Sequence, residues 1–154
     1  MDDKNQFYQG LSKQLNALLQ DETQPVTIYA NASALLYQLL PDVSWVGFYL
    51  HDTEKKELYL GPFQGKPACM HIPLGKGVCG TAASTLTVQR VADVHQFPGH
   101  IACDSASNSE IVLPLIKKEQ LIAVLDIDST AFDRFSKEDE EGLIKICKDL
   151  VTLL

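Results

Sequence analysis

The sequence lacks the features that direct a protein to a membrane or a nucleic acid. Its 154 residues contain no apolar run that approaches the roughly 20 residues of a membrane-spanning helix. Basic side chains are outnumbered: 13 Lys and Arg against 20 Asp and Glu give a formal net charge of −7. This charge disfavours nucleic acids and anionic membranes as partners. The polar first residues do not resemble a signal peptide, so we expect a cytoplasmic protein.

Cysteine is also scarce, with four residues in the chain: Cys69, Cys79, Cys103 and Cys147. A chain of this length buries enough apolar surface to fold without covalent staples. Thiols in the cytosol are kept reduced. We therefore expect one domain over residues 1–154 and no permanent disulfide framework.

Apolar residues recur every three or four positions near both ends of the chain, which predicts amphipathic helices. The first helix covers about 2–20. Its predicted apolar stripe is Phe7, Leu11, Leu15, Leu18 and Leu19. A second helix begins near Pro25 and stops before Pro41, and a last helix follows the N-cap residue Ser136.

Alternating patterns between these helices predict two β-hairpins. The first joins strands at 44–50 and 57–63, and the second joins strands at 110–117 and 120–128. Strands linked by tight turns pair in antiparallel fashion, so the fold class is α+β.

Glycine and proline interrupt the segment between the hairpins, 65–99, which we expect to be rich in loops. A short helix at 78–85 and a short strand at 88–92 are predicted within it. We expect a central antiparallel sheet with the N- and C-terminal helices on one face. The loop-rich segment then forms a lid over a small-molecule pocket on the other face.

Three of the cysteines, Cys69, Cys79 and Cys103, lie in or beside this loop-rich segment. Flexible loops suit redox chemistry, because two sulfurs must be apart as thiols and adjacent as a disulfide. An electropositive neighbour would favour the reactive thiolate. The candidates for that neighbour are Lys76, His95 and His100.

Two other interpretations of the cysteines stay open. A free cysteine is often a small buried hydrophobic residue, which suits Cys147 on the apolar stripe of the last helix. A zinc site is the second alternative. Its candidate ligands are Cys69, His71, Cys79, His95, His100 and Cys103. Only His100 and Cys103 have the close spacing typical of zinc ligands, so redox use is favoured.

Acidic residues mark one end of the second hairpin. Strand alternation puts Asp126 and Asp128 on one face, and Glu110 opens the neighbouring strand, so we expect the three carboxyl groups close together. Such a cluster needs a bound cation or a shared proton. A solvated acidic sheet end would explain the same pattern equally well.

Two aromatic residues, Trp45 and Tyr49, flank Gly47 on one face of the first strand. The pair could form a platform for an ammonium group or an apolar thioether. A pair of core aromatics is the simpler explanation of this feature alone.

Taken in order, the motifs resemble the free methionine-(R)-sulfoxide reductases. The matching stretches are 45–49 (WVGFY), 60–65 (LGPFQG), 77–80 (GVCG), 97–104 (FPGHIACD), 109–112 (SEIV) and 125–129 (LDIDS). FPGHIACD and LDIDS are the most specific of them. The resemblance runs from about 44 to 135, and the predicted helices outside it are compatible.

The resemblance implies a GAF fold and a thiol mechanism without metal or organic cofactor. It gives Cys103 the attack on the sulfoxide and Cys69 the main resolving role, through an intramolecular disulfide. Cys79 is a third catalytic candidate with a less defined role. Thioredoxin is the implied reductant, and a homodimer is left open.

The resemblance also implies a substrate, free methionine-(R)-sulfoxide, and the residues that hold it. These are Trp45, Tyr49, Glu110, Asp126 and Asp128. A GAF module that senses a ligand without catalysis is the strongest alternative, because a fold does not fix a function.

Overall fold

The computed structural model of the protein describes residues 3–154, and the predicted helix start at Asp2 lies outside this range. These residues form four α-helices. They are α1 (Asp3–Leu19), α2 (Pro25–Leu39), α3 (Gly77–Thr85) and α4 (Lys137–Leu153). None of the helices in 3–154 has the length and apolar character needed to cross a membrane.

The strands of residues 3–154 form one antiparallel sheet. They are β1 (Trp45–Asp52), β2 (Glu57–Gln64), β3 (His71–Pro73), β4 (Gln89–Val91), β5 (Ser109–Lys117) and β6 (Gln120–Ser129). Their order across the sheet is β3-β2-β1-β6-β5-β4. The predicted hairpins are β1–β2 and β5–β6, and pairing of β1 with β6 joins them at the centre.

The two faces of the sheet are covered differently, which confirms the predicted α+β arrangement. Helices α1, α2 and α4 pack on one face, against the side chains of Val46, Phe48, Leu113 and Leu125. Helix α3 covers the other face, where its buried residues belong to the same apolar cluster as Trp45, Tyr49 and Val112. The terminal helices therefore lie on one side, and the middle segment lies on the opposite side.

The middle segment is more regular than its sequence predicts. Strand β3 was missed, and it extends the sheet by pairing with β2 at Glu57–Tyr59. A 3₁₀ turn, Val94–Gln96, was missed as well. Strand β3 contains Pro73, which in sequence indicates a loop, so its pairing with a neighbouring strand identifies it.

The predicted apolar stripe of α1 is partly wrong. Phe7 and Leu18 are 37% and 48% exposed, whereas Tyr8 is buried. The reason is α4: the Tyr8 ring lies against Gly142, which leaves no room for a Cβ, and the Tyr8 hydroxyl reaches Asp139. The buried face of helix α1 is therefore directed toward α4 as well as toward the sheet.

Asp139 is the buried polar centre of the contact between α1 and α4. Its carboxylate accepts hydrogen bonds from the Tyr8 hydroxyl and Lys4 Nζ, both at 2.7 Å, and from the Ser136 backbone N–H at 2.8 Å. Arg134 Nη1 lies 3.2 Å away. Burial by itself would raise the pKa of Asp139, but these donors outweigh it and lower the pKa to about 2.

We expect Asp139→Asn to lower the free energy of unfolding at pH 7 by roughly 3 kcal/mol, because the partners of a buried charge would be left unpaired. The native pKa lies below the ordinary value, so this stabilisation is present above about pH 4 and is lost as the pH falls toward 2. In urea unfolding, the difference in free energy of unfolding between wild type and Asp139→Asn should shrink as the pH falls from 5 to 2.5.

Glu138→Gln is the matched control, because Glu138 is exposed in the same first turn of α4. It should unfold like the wild type. A difference between Asp139→Asn and wild type that stayed constant with pH would contradict the assigned pKa.

Candidate active site

A small cavity opens on the α3 face of the sheet, where β5 begins and β6 ends. It is enclosed by Tyr49, Ile72, residues 76–79 at the start of α3, residues of the 97–108 loop, and the carboxyl groups of Glu110, Asp126 and Asp128. Its volume is about 30 Å³, which is close to the space of one water molecule.

A disulfide joins Cys69 to Cys103, and Cys103 lines this cavity. The two Cα atoms lie 5.3 Å apart although 34 positions separate the residues in sequence. Cys69 belongs to the 65–70 loop that follows β2, and Cys103 belongs to the 97–108 loop. The bond therefore joins a loop at the β2–β3 edge of the sheet to a loop at the β5–β4 edge.

Tyr49 connects the floor of the cavity to the disulfide. It lines the cavity, and its hydroxyl donates to the backbone carbonyl of Cys69 at 2.9 Å. Trp45 stacks on Tyr49 with ring centroids 5.9 Å apart, and its indole Nε1–H donates to the carbonyl of Lys66 at 3.0 Å. Trp45 lies outside the cavity lining in this disulfide form, so its role toward substrate stays a prediction.

The strand register places three carboxyl groups together. Glu110 of β5 lies opposite Asp128 of β6, and Asp126 is two positions along the same face of β6. Glu110 and Asp126 are only 7% and 5% exposed, and Asp128 keeps more of its surface open. The acidic pattern at the end of the hairpin is thus a buried cluster and not a solvated sheet end.

Burial raises the pKa of all three carboxyl groups, and repulsion by neighbouring carboxylates adds to the rise at Glu110 and Asp128. The Glu110 pKa lies well above its ordinary value because of burial and then because of Asp126 and Asp128. The Asp128 pKa is likewise raised well above its ordinary value by burial and by Asp126. Burial raises the Asp126 pKa, and hydrogen bonds from Glu110, Cys79 and Asp128 oppose the rise.

Cys79 faces this cluster from α3. Its sulfur lies 4.0 Å from Glu110 Oε2. Burial, followed by the charges of Asp126 and Glu110, raises the Cys79 pKa well above its ordinary value. Such a site disfavours the thiolate, so Cys79 does not have the environment of an activated nucleophile.

Cys147 is a residue of α4, and its side chain lies in the apolar core on the opposite face of the sheet. Burial raises its pKa to about 12. This placement agrees with the interpretation of Cys147 as a buried hydrophobic residue.

The candidate zinc ligands are dispersed in the described structure. Cys69 and Cys103 are joined to each other, and His71 Nδ1 lies 2.6 Å from a Glu57 carboxylate oxygen. His95 Nε2 contacts the Asn108 side-chain oxygen at 2.9 Å. Within residues 3–154, the potential ligand atoms that lie within 4.8 Å of one another belong to Cys79, Glu110 and Asp126. This set contains no histidine.

Two of the three predicted electropositive neighbours reach the cavity. Lys76 and His100 line it, and His95 is not among the lining residues. Burial, and then the neighbouring His95, lowers the pKa of His100, which favours the neutral imidazole. Lys76 is therefore the cation of the lining.

Ser107 also lines the cavity, and sequence reasoning did not identify it. A single serine in a polar loop belongs to no periodic pattern and no recognisable motif. Its Oγ and the Oδ1 of Asp126 are the buried side-chain polar atoms of residues 3–154 that have no hydrogen-bond partner. Both atoms are available to a ligand in the cavity.

Comparison with known proteins identifies the family. The GAF domain family matches residues 14–152. The free methionine-R-sulfoxide reductase of Escherichia coli is 57% identical over 151 residues, which cover 98% of this chain and 90% of the relative. The chain belongs to the free methionine-R-sulfoxide reductases of the GAF domain family.

Solved structures of this reductase family have the same fold. The Neisseria meningitidis free methionine-R-sulfoxide reductase, in complex with its substrate, is 42% identical with a TM-score of 0.95, covering 99% of this chain and 91% of that one. The Staphylococcus aureus enzyme, also in complex with substrate, is 53% identical with a TM-score of 0.90, covering 96% and 95%. The predicted GAF fold is therefore confirmed.

The buried carboxyl groups predict an unusual dependence of stability on pH. Their native pKa values lie above the ordinary ones, so the stability they contribute is present at acidic pH and is lost as the pH rises above about 4.5. Glu110→Gln removes one titrating member of the cluster. Relative to wild type, the free energy of unfolding of this variant should rise by roughly 1–3 kcal/mol between pH 5 and pH 8.

Urea unfolding of the disulfide form at both pH values measures this difference. Glu119→Gln is the control, because Glu119 is exposed in the turn of the same hairpin. If the free energy of unfolding differed equally between Glu110→Gln and wild type at both pH values, the raised pKa of Glu110 would be contradicted.

Proposed function

We propose that this protein reduces free L-methionine-(R)-sulfoxide to L-methionine, with Cys103 as nucleophile and Cys69 as resolving thiol. The observation that carries the proposal is the Cys69–Cys103 disulfide beside a cavity lined with buried carboxyl groups. The 57% identity to the E. coli free methionine-R-sulfoxide reductase supports the same activity.

The carboxyl groups account for the choice of a free amino acid. Free methionine sulfoxide carries an α-ammonium, which a peptide-bound residue lacks. An ammonium would satisfy the unpartnered Oδ1 of Asp126 and relieve the repulsion among Glu110, Asp126 and Asp128. A peptide would leave those buried charges unpaired, which strongly disfavours its binding. In this proposal Trp45 and Tyr49 face the thioether end of the substrate.

The reaction proceeds in two thiol steps. The Cys103 thiolate attacks the sulfoxide sulfur while a carboxyl group of raised pKa protonates the oxygen. Methionine leaves, and Cys103 becomes a sulfenic acid, so that the oxygen passes from substrate to enzyme. The Cys69 thiol then condenses with the sulfenic acid, releasing water and forming the disulfide.

An external dithiol returns the enzyme to its thiol form by exchange with this disulfide. By family resemblance the dithiol is thioredoxin, and the location is the cytoplasm, where such a reductant keeps thiols reduced. Cys79 lies beside the carboxyl cluster and has an auxiliary role in this proposal, because its raised pKa makes it a poor first nucleophile. A homodimer remains a prediction.

Substrate choice tests the activity directly. In the presence of dithiothreitol, we expect the R epimer at sulfur of free methionine sulfoxide to be reduced and the S epimer to remain. The N-acetylated R sulfoxide should be reduced at least a hundredfold more slowly, because it has no ammonium for the carboxyl cluster. NMR of a racemic mixture follows both epimers in one sample. Comparable rates on the acetylated compound would refute the proposed recognition of the ammonium. No reduction of any of the compounds would refute the proposed activity and favour a GAF module that binds a ligand without catalysis.

Serine variants of the cysteines separate the two thiol steps. Cys103→Ser should abolish reduction, because the nucleophile is lost. Cys69→Ser should release about one methionine per chain and then stop with thioredoxin as reductant, because the sulfenic acid forms but has no resolving partner. Rapid-quench chromatography of methionine measures both outcomes.

Cys147→Ser is the matched control, and its activity should remain near wild type because Cys147 lies on the other face of the sheet. Activity retained by Cys103→Ser would overturn the assignment of the nucleophile.

A further inference from the structure

One thiol and two carboxyl groups converge where α3 meets the start of β5 and the end of β6. Cys79 Sγ lies 4.0 Å from Glu110 Oε2. One potential ligand atom from each of Cys79, Glu110 and Asp126 lies within 4.8 Å of the other two. In a tetrahedral zinc site, ligand atoms bonded at about 2.0–2.3 Å lie about 3.5 Å from one another. The three atoms therefore need to approach by roughly 1 Å to share one cation.

The second observation is a buried oxygen without a partner. Cys79, Glu110 and Asp126 are only 4%, 7% and 5% exposed. Within residues 3–154, Asp126 Oδ1 is buried and has no hydrogen-bond partner. Such an oxygen costs free energy unless a ligand or water bonds to it. The spacing of the ligand atoms and the unpartnered oxygen thus point independently to a bound ligand.

The charges around these atoms favour a cation. Asp128 lies opposite Glu110 in the strand pairing and adds a third carboxyl group. Burial and the nearby carboxylates raise the pKa of the Cys79 thiol, but a metal ion bound to the sulfur reverses this preference, and the proton passes to solvent. Lys76, the cation of the cavity lining, has an exposed side chain, so water and salt screen its charge.

The ligand atoms distinguish among divalent cations. Zinc accepts a thiolate together with carboxylate oxygens, whereas magnesium and calcium prefer oxygen ligands alone. Three protein ligands leave a fourth tetrahedral position for water, and the cavity of about 30 Å³ has room for one water molecule. We propose that Cys79, Glu110 and Asp126 form a zinc-binding site. The site does not use the Cys69–Cys103 pair, so it is present in the disulfide form.

Cobalt(II) serves as a spectroscopic probe of this site, because a thiolate bound to it absorbs in the near ultraviolet by charge transfer. The disulfide form is titrated, since Cys69 and Cys103 are bonded to each other and the free thiols are Cys79 and Cys147. We expect a band that saturates at about one cobalt per chain. Added zinc should remove the band, and excess magnesium should leave it unchanged.

Variants assign the band to its ligands. Cys79→Ser should abolish it, because the thiolate is lost, and Asp126→Asn should weaken cobalt binding by roughly tenfold or more. Cys147→Ser is the matched control and should keep the wild-type band, because Cys147 lies on the other face of the sheet.

The site is overturned if wild type gives no band, if Cys79→Ser retains the band, or if Cys147→Ser loses it. Zinc bound to Asp126→Asn after dialysis gives a second measurement that does not require Cys79→Ser to fold. Zinc content equal to that of wild type in this variant would also overturn the site.

The site has a consequence for catalysis that rests on the proposed function. If Glu110 and Asp126 bind the substrate ammonium, zinc and substrate compete for them. In a single turnover without added thiol, zinc should slow methionine release from reduced wild type, and excess substrate should restore the rate. Equal inhibition of Cys79→Ser would overturn this competition. The cobalt titration uses the disulfide form and no substrate, so it tests the metal site whether or not the protein is a reductase.

Discussion

Three carboxyl groups buried at one end of the β5–β6 hairpin are the constraint on which the site depends. Burial raises the pKa of Glu110, Asp126 and Asp128, and ionisation of all three together is disfavoured because like charges repel. Protonation of one member or a bound cation stabilises such a cluster. Its free-energy cost is tolerated because β5 and β6 are anchored on the opposite face by the large apolar core under α1, α2 and α4.

Loops, and not the strands, carry the two cysteines of the disulfide. The Cys69–Cys103 disulfide joins loops that belong to opposite edges of the sheet. The Tyr49 hydroxyl donates a hydrogen bond to the Cys69 carbonyl at 2.9 Å. Tyr49 is fixed in turn by stacking on Trp45. The strands thus supply the acidic floor of the cavity, and the loops carry the bonded cysteines.

Local periodicity was enough to predict much of the fold. The β5–β6 pairing follows from two alternating strands and a two-residue turn, and this pairing alone puts Glu110 opposite Asp128. The N-cap Ser136 likewise marked the start of α4. Strand β3 was not predicted, because Pro73 within it indicates a loop and its pairing with β2 cannot be read from the local sequence. The burial of Tyr8 in place of Phe7 could not be predicted either, because it depends on where α4 packs.

By itself the sequence determined most of the elements, the fold class, the carboxyl and aromatic candidates and, through the family motifs, the candidate cysteines. Tertiary structure decided which of these groups share one cavity. It brought Cys69 to Cys103 across 34 positions and separated His71 and His95 from the thiols. It also buried Ser107 without a partner beside the start of α3. The physical reason is that strand and helix periods are local properties of the chain. The burial of a loop side chain depends on every element that packs around it.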